Sequence, residues 1–400
     1  MYRNCFLAIR FLSITFFTPL RMNILFITHN DSFQGSTRSL YSLLEGLRTY
    51  PINPFVVVPK ESAFTAQLSE VGIPFKIIEV PWWMSNKKLS VKMKTTNARE
   101  IRAAARQIEK QIDNWKIDLV YTNSSVTPVG RMAAKHAGVP HIWQIREYWD
   151  LYFNLRFIFP SWISKRFLFG SEAVICHATG VLEHYFSNQP KNVYLIHNGA
   201  ASLATFDKRL GMRQQAPNPE PFTFLMNSVL SKKKGQEHAV RALAGLRERG
   251  LQAHLIMTGG GRQDYRNELQ ALIAQFDLQD SVTFTGLVSD PFPYYYQSDC
   301  VLICSENEAF SRVALEAMST ALPVIGKNSG GNPEIIVDGE TGLLYNTDEE
   351  LVEAMSRLAE DRALSQKMGQ AGWQRARDKF NIEDNAANVY KVIQLVTENK

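Results

Sequence analysis

The stretch SENEAFSRVALEAMSTALPVIGKNSGGNPE, residues 305–334, follows directly on the apolar run VLIC and carries Glu308 and Glu316 eight positions apart, then the pair Gly330 and Gly331. A short apolar run read as a buried strand, then a loop and a helical pattern starting near Phe310 or Ser311, make half of a strand–helix–strand unit. Ligands of doubly wound sheets bind beyond the carboxyl ends of the strands, which puts Glu308 in a loop at the ligand-facing edge. The backbone N–H groups of Phe310, Ser311 and Arg312 then point out of the first helical turn, where phosphate is favoured. At about 3.6 residues per turn, Glu316 falls on the flank of that helix near residues 312 and 313. There an ionised carboxylate suits the neighbouring hydroxyls of a ribose. Two glutamates at this spacing also fit a solvated pair, and two glycines also fit a tight turn. The surrounding chain has to decide.

Apolar runs alternate with amphipathic helical stretches along the whole chain, the pattern of parallel sheets covered on both faces. Strands are predicted at 24–28, 55–58, 75–80, 119–123, 142–145, 174–177 and 193–197, and again at 222–226, 254–258, 282–285, 301–304, 323–325 and 343–345. The stretch 201–221 shows no strand and ends in Pro217, Pro219 and Pro221, which marks a linker. The expected organisation is an extension over residues 1–21, a first Rossmann-like domain over 22–200, the linker over 201–221, a second domain over 222–378 and a C-terminal helix over 379–400 packing back on the first. Arg10 interrupts the apolar N-terminal run, which at about 16 residues is short for a span. Folding is expected to begin at Met22, with a weak membrane anchor as the alternative.

The chain has 400 residues, 45% hydrophobic and 21% charged, which fits two globular domains and argues against a disordered chain or a polytopic membrane protein. A net charge of +5 is too mild to indicate nucleic acid and enough to favour an anionic ligand or surface. Cys5, Cys176, Cys300 and Cys304 lack paired metal spacing and read as reduced thiols of a cytoplasmic protein. Nine Lys and Arg residues between Lys87 and Lys116 follow Trp82 and Trp83. This reads equally as a membrane interface and as a solvated helix face. The aromatic and basic stretch at 147–169 reads first as core and interdomain packing, second as a surface for a lipid-linked acceptor.

The run from Glu308 through EAMSTALPVI to GGNPE and DGETGLLY resembles the retaining glycosyltransferases of family 4. KKKGQEHAVRAL, TGGGRQDYRNEL, VTFTGLVSD and LIHNGA add to the likeness, which covers most of residues 22–395. The resemblance implies a GT-B fold, two facing Rossmann-like α/β domains with an interdomain cleft. It implies that Lys234 binds the donor diphosphate, that Glu316 binds the ribose, and that Glu308 lies beside the transferred sugar. The backbone at Val288 would contact the base, and Gly35 and Ser36 would belong to a loop closing over the diphosphate. Phe310, Ser311 and Arg312 would offer the helix tip.

Three departures stand out. Ser228 and Val229 replace a Gly-Arg pair, so that Lys232, Lys233 or Arg312 would have to supply the missing cation. Arg146 and Glu147 occupy the place of a first-domain histidine, which makes Arg146 a further candidate. The first loop keeps Gly35 but has Ser36 for a second glycine. The implied activity is transfer of a hexose-like unit from a nucleotide-diphosphate sugar to a glycan or lipid-linked acceptor, at the inner face of the membrane or in the cytoplasm. No cofactor and no metal are expected, since no Asp-x-Asp pair occurs and cations with helix termini must hold the diphosphate. Rival readings are a non-catalytic nucleotide-sugar binder and an isomerase or phosphorylase of the same architecture. A nicotinamide reading of TGGGR fails for want of the full glycine pattern.

Overall fold

The computed structural model describes residues 21–30, 35–187, 190–216 and 220–398. The expectations for residues 1–20, including Cys5, for the start of the first loop at 31–34, and for Pro217 and Pro219 lie outside them.

Among the described residues fifteen strands form: β1 Met22–Ile27, β2 Ile52–Val58, β3 Phe75–Ile77, β4 Met84–Ser85, β5 Leu119–Thr122, β6 His141–Ile145, β7 Arg156–Phe157, β8 Ala173–Cys176, β9 Val193–Leu195, β10 Phe222–Asn227, β11 Ala253–Thr258, β12 Val282–Gly286, β13 Cys300–Ile303, β14 Val324–Lys327 and β15 Gly342–Tyr345. Seven make a parallel sheet in the order β3-β2-β1-β5-β6-β8-β9, and six make a second in the order β12-β11-β10-β13-β14-β15. The strands are apolar on both sides because helices cover both faces. β1, β5, β8 and β13 each contribute at least three side chains that are wholly buried or nearly so. Strand order reverses between β1 and β5 in one sheet and between β10 and β13 in the other, so each sheet has a crevice at its carboxyl edge there.

The helix Ile382–Glu398 lays Ala386, Val389, Val392, Ile393 and Val396 into the same core as Leu40, Leu43, Leu44 and Leu47 of the first domain. The stretch joining the sheets is largely helical, Leu203–Gln215, and buries Phe206 beneath Trp373, whose indole N–H donates to the Phe206 carbonyl at 3.1 Å. β4 and β7 form a two-residue antiparallel pair that no sequence pattern announced.

Trp82 and Trp83 part company. Trp83 is a core residue, stacked on Trp143 and donating to the Ser125 carbonyl at 2.7 Å, while Trp82 is exposed. The helix Val91–Asn114 buries Ile101, Ala104, Ala105, Ile108 and Ile112 and turns its basic residues outward. The 147–169 stretch divides likewise. Tyr148, Trp149, Leu155, Ile158 and Leu168 are buried; Leu151, Phe153, Trp162 and Ile163 are exposed. Cys176, Cys300 and Cys304 are buried free thiols. Among the described residues no helix is long and apolar enough to cross a membrane.

Candidate active site

β13 ends at Ile303, and the chain runs through Ser305 to Glu308 before the helix Arg312–Ser319 begins, one residue later than the pattern predicted. Ser311 caps that helix, its hydroxyl accepting from the Ala314 N–H at 3.3 Å. Glu308 is met from the end of β10. Lys234 closes a short turn there, and its ammonium lies 3.2 Å from Glu308 Oε2, which also accepts from the Ser305 hydroxyl at 2.5 Å. Gly235 makes this approach possible: with φ of +68°, a Cβ on it would stand 2.6 Å from the Cys304 carbonyl oxygen. Burial pulls the Lys234 ammonium down, but Glu308, helped by Tyr152, more than offsets this and holds its pKa above the ordinary value.

The glycine pair braces the glutamate loop from below. The Gly331 N–H donates to the Glu308 carbonyl at 2.7 Å. A Cβ on Gly330 would lie 2.3 Å from the Glu308 carbonyl oxygen, and one on Gly331 would lie 2.1 Å from that of Ala309. Backbone packs on backbone here, which fixes the loop that presents Glu308.

Glu316 is 6% exposed. Its Oε2 accepts from the Tyr295 hydroxyl at 3.0 Å, and Tyr295 in turn accepts from Asn227, which is bound by Thr258. Burial, then the Glu316 charge, keep the Tyr295 phenol far above its usual range, so it stays a donor. Arg312 and Arg38 stand 3.5 and 3.7 Å from Glu316 Oε1. Arg38 belongs to the first domain, on the helix Ser36–Leu47, and Arg312 reaches back to donate to Ser39 of that helix at 3.1 Å. The tips of the two helices therefore face each other across the cleft. Gly35 supplies the bend that starts the first one, at φ 47°, and the Ser36 carbonyl accepts from Asn123 at 3.0 Å.

A second contact between the domains lies below. Glu334, in the turn after the glycine pair, accepts from the Thr179 N–H at 2.8 Å, from its hydroxyl at 2.6 Å, and pairs with His197 Nε2 at 2.5 Å. His197 stacks on Phe310, whose other neighbours are His177 and Phe380. The Phe310 side chain is thus an interdomain packing group, and only its backbone faces the helix tip.

Other expected positions fare differently. Arg146 ends β6 with its guanidinium bound to Asn123 at 2.7 Å, Asn198 at 2.8 Å and Gln144 at 2.6 Å, and burial lowers its pKa to about 10. It organises the floor of the first-domain crevice. Lys232 is drawn away to Glu268 at 2.8 Å, and Lys233 donates to the Tyr152 carbonyl at 2.5 Å, so neither takes the place of the missing arginine. Val229 is half exposed, and Val288 lies in the loop leading to the helix that carries Tyr295. Tyr295, Arg38 and Glu334 escaped the sequence reading, because each meets its partner only through tertiary packing, far from it in the chain.

Two Rossmann-like sheets meeting at their carboxyl edges, with a paired lysine and glutamate at one helix tip, define a GT-B protein. The family model for Glycosyltransferase Family 4 matches residues 33–201, and that for Glycosyl transferases group 1 matches residues 207–375. The chain belongs to this glycosyltransferase family. It is 33% identical over 191 residues to an alpha-1,3/1,6-mannosyltransferase of Mus musculus, covering 44% of this chain and 46% of that protein. It is 32% identical over 175 residues, 41% of this chain and 45% of the other, to a GDP-mannose-dependent alpha-(1-6)-phosphatidylinositol monomannoside mannosyltransferase of Mycobacterium tuberculosis. The chain thus spans about half the length of these curated relatives. The fold matches an Anabaena protein, HepE, solved in complex with UDP and glucose, with a TM-score of 0.75 at 21% identity over 94% of this chain and 100% of that one. It also matches a glycosyltransferase of Rickettsia africae, with a TM-score of 0.77 at 20% identity over 95% of this chain and 100% of the other.

Proposed function

We propose that the protein is a retaining, metal-independent glycosyltransferase that moves a sugar from a nucleotide-diphosphate sugar to a glycan or lipid-linked acceptor in cell-surface polysaccharide or glycolipid synthesis. The observation that carries this reading is the Lys234–Glu308 pair at 3.2 Å, set at the tip of the helix whose flank holds the buried Glu316. The Anabaena neighbour solved with UDP and the GDP-mannose-dependent relative of Mycobacterium tuberculosis support the donor class.

Transfer breaks the bond between the anomeric carbon and a diphosphate oxygen, and the electron pair stays with the departing phosphate. The Lys234 ammonium and the N–H groups at the tip of Arg312–Ser319 stabilise that charge. Both protein contacts to the Glu308 carboxylate given above fall on Oε2. Oε1 is assigned to the sugar hydroxyls and to the positive charge that grows at the ring. The acceptor oxygen bonds to the anomeric carbon on the face the phosphate leaves, and its proton passes to that phosphate. Lys234, the helix amides and a neutralised ribose acid replace a divalent ion.

The test is incubation with a mixture of nucleotide sugars and candidate glycan and lipid acceptors in the presence of EDTA, with released nucleoside diphosphate read by mass spectrometry. Release that needs the acceptor is expected; binding without release would favour the non-catalytic reading, and release only without EDTA would contradict metal independence.

Peripheral contact with anionic membrane forms part of the proposal. Trp162 is 71% exposed beside Ile163, with Lys165 and Arg166 on the same short helix. Val91 and Met93, at the start of the helix Val91–Asn114, are a second exposed apolar pair among the cations Lys92 and Lys94. Tryptophan with cations suits a headgroup region. Trp162→Ala is expected to lower co-sedimentation with phosphatidylglycerol vesicles, and unchanged binding would remove the contact.

A further inference from the structure

Lys234 and Glu308 lie between the domains, and their side chains are only 18% and 19% exposed. Part of their cover comes from the first domain, in the loop that joins β6 to β7. The Tyr152 ring stands 5.8 Å from the Lys234 ammonium and 5.2 Å from that of Lys233. The Phe153 ring stands 5.9 Å from Lys233 and meets the Tyr152 ring edge to face at 4.8 Å. Ammonium groups are attracted to ring faces at this range. The Lys233 ammonium also donates to the Tyr152 carbonyl at 2.5 Å. Both lysines belong to the second domain, so the loop is clasped across the cleft.

The base of this loop is fixed to its own domain. Trp149 stacks on Tyr185 at 3.5 Å, and the Asp150 carboxylate accepts from the Tyr185 hydroxyl at 2.6 Å and pairs with His184 at 3.0 Å. The Tyr152 N–H donates to the Tyr148 carbonyl at 3.1 Å, and the Leu155 N–H returns to the Trp149 carbonyl at 2.6 Å. Asn154, at φ 52°, turns the chain back. The tip differs: Leu151 and Phe153 are half exposed, and the crossing to Lys233 is one hydrogen bond with ring contacts, weak enough to release.

The chemistry gives such a cover a task. In hydrolysis, as in transfer, the bond from the anomeric carbon to the phosphate oxygen breaks and its electron pair leaves with the phosphate. Only the incoming oxygen differs: that of water bonds to the carbon, its proton passes to the phosphate, and free sugar and nucleoside diphosphate result. Groups that stabilise the departing phosphate serve both reactions alike, so selection against water falls to whatever encloses the centre.

We propose that the loop 149–155 is a lid that selects the acceptor over water, with Tyr152 covering the Lys234–Glu308 pair and Lys233 as the clasp. This rests on the reading of the cleft as a nucleotide-sugar site. Release of the clasp admits the donor, and its return shuts out water.

Two measurements on the full chain test it. Amide hydrogen exchange without ligand follows the clasp: Lys233→Ala is expected to speed exchange over 150–155 by about fivefold or more, and Lys233→Arg, which still donates, to stay within about twofold of wild type. Each chain is then incubated without acceptor with UDP-glucose, UDP-galactose, UDP-N-acetylglucosamine, GDP-mannose and ADP-glucose, and free sugar is read by mass spectrometry. Tyr152→Ala and Lys233→Ala are expected to release sugar about tenfold faster than wild type, and Tyr152→Phe, which keeps the ring, to stay within about threefold of it. Equal exchange in wild type and Lys233→Ala would show that there is no clasp, and equal or slower hydrolysis in Tyr152→Ala would show that the loop only packs; either result overturns the proposal. Thermal melts separate a lost lid from a lost fold, and the exposed Lys233 carries the test if Tyr152→Ala melts early. If the wild-type chain binds none of the five donors by calorimetry, the nucleotide-sugar reading itself fails; if it binds one and the variants hydrolyse it no faster, the lid alone falls.

Discussion

Lys234 and Glu308 answer each other chemically. The ammonium is held charged by a carboxylate that shares its half-buried position, and the carboxylate is held in place by Ser305. Replacing Lys234 with alanine removes the cation at the helix tip and leaves Glu308 without its counter-charge. Affinity for a nucleoside diphosphate is expected to fall by about tenfold to a hundredfold, measured by calorimetry; unchanged affinity would remove Lys234 from the site. The place of Glu308 at a ligand-facing edge was legible because a strand end in a parallel sheet has only one such side, while the roles of Lys234, Glu308 and Glu316 were implied by the resemblance to the family 4 glycosyltransferases. Tyr295 and Arg38 were not legible. Tyr295 sits in the run FPYYY, where three tyrosines look alike until the fold turns one of them, wholly buried, onto Glu316.

The Gly330–Gly331 turn and the Glu308–Phe310 loop act as one element. A Cβ at Gly331 meets the Ala309 carbonyl oxygen at 2.1 Å, and backbone on both sides leaves nothing flexible to give way. Gly331→Ala is expected to cost about 1–3 kcal/mol of stability by overpacking and to lower nucleotide affinity with it, because the displaced loop carries Glu308. Gly211→Ala, in a helix with open space around it, is the control expected to leave both unchanged or to raise the melting temperature slightly. Equal melting temperatures for the two variants would contradict the bracing role. Thirteen of the strands were legible as apolar runs, since strands buried on both faces need no alternation to be seen. β4 and β7 were not, because two residues carry no period. The helix Leu203–Gln215 was hidden for a related reason: it buries only Phe206, so its apolar face is too narrow to mark it.

The molecule as a whole is two sheets held edge to edge, and Glu334 is a principal polar contact between them. Burial raises the Glu334 pKa, but hydrogen bonds from His197 and Thr179 outweigh it and hold the carboxyl below its ordinary value of 4.5. The folded chain therefore binds fewer protons at this group than the unfolded chain does. Its contribution is complete above pH 4.5 and is lost as pH falls through the depressed folded value. The difference in melting temperature between wild type and Glu334→Gln is expected to shrink between pH 5 and pH 3; a difference constant with pH would mean that the charge plays no part in the interdomain contact. The cleft was foreseen from two doubly wound halves, but which residues cross it was not, since no local pattern records a partner 155 residues away, as Thr179 is from Glu334.

The central claim is that a nucleotide-diphosphate sugar lies between the sheets, held by lysine, helix amides and a ribose-binding acid in place of a metal. A crystal structure of the complex, grown with magnesium present, tests it most directly. The account predicts diphosphate oxygens against Lys234 and the Ser311–Arg312 amides, with the ribose on Glu316 and no ion between. A donor lodged elsewhere, or tethered to the protein through magnesium, would contradict it.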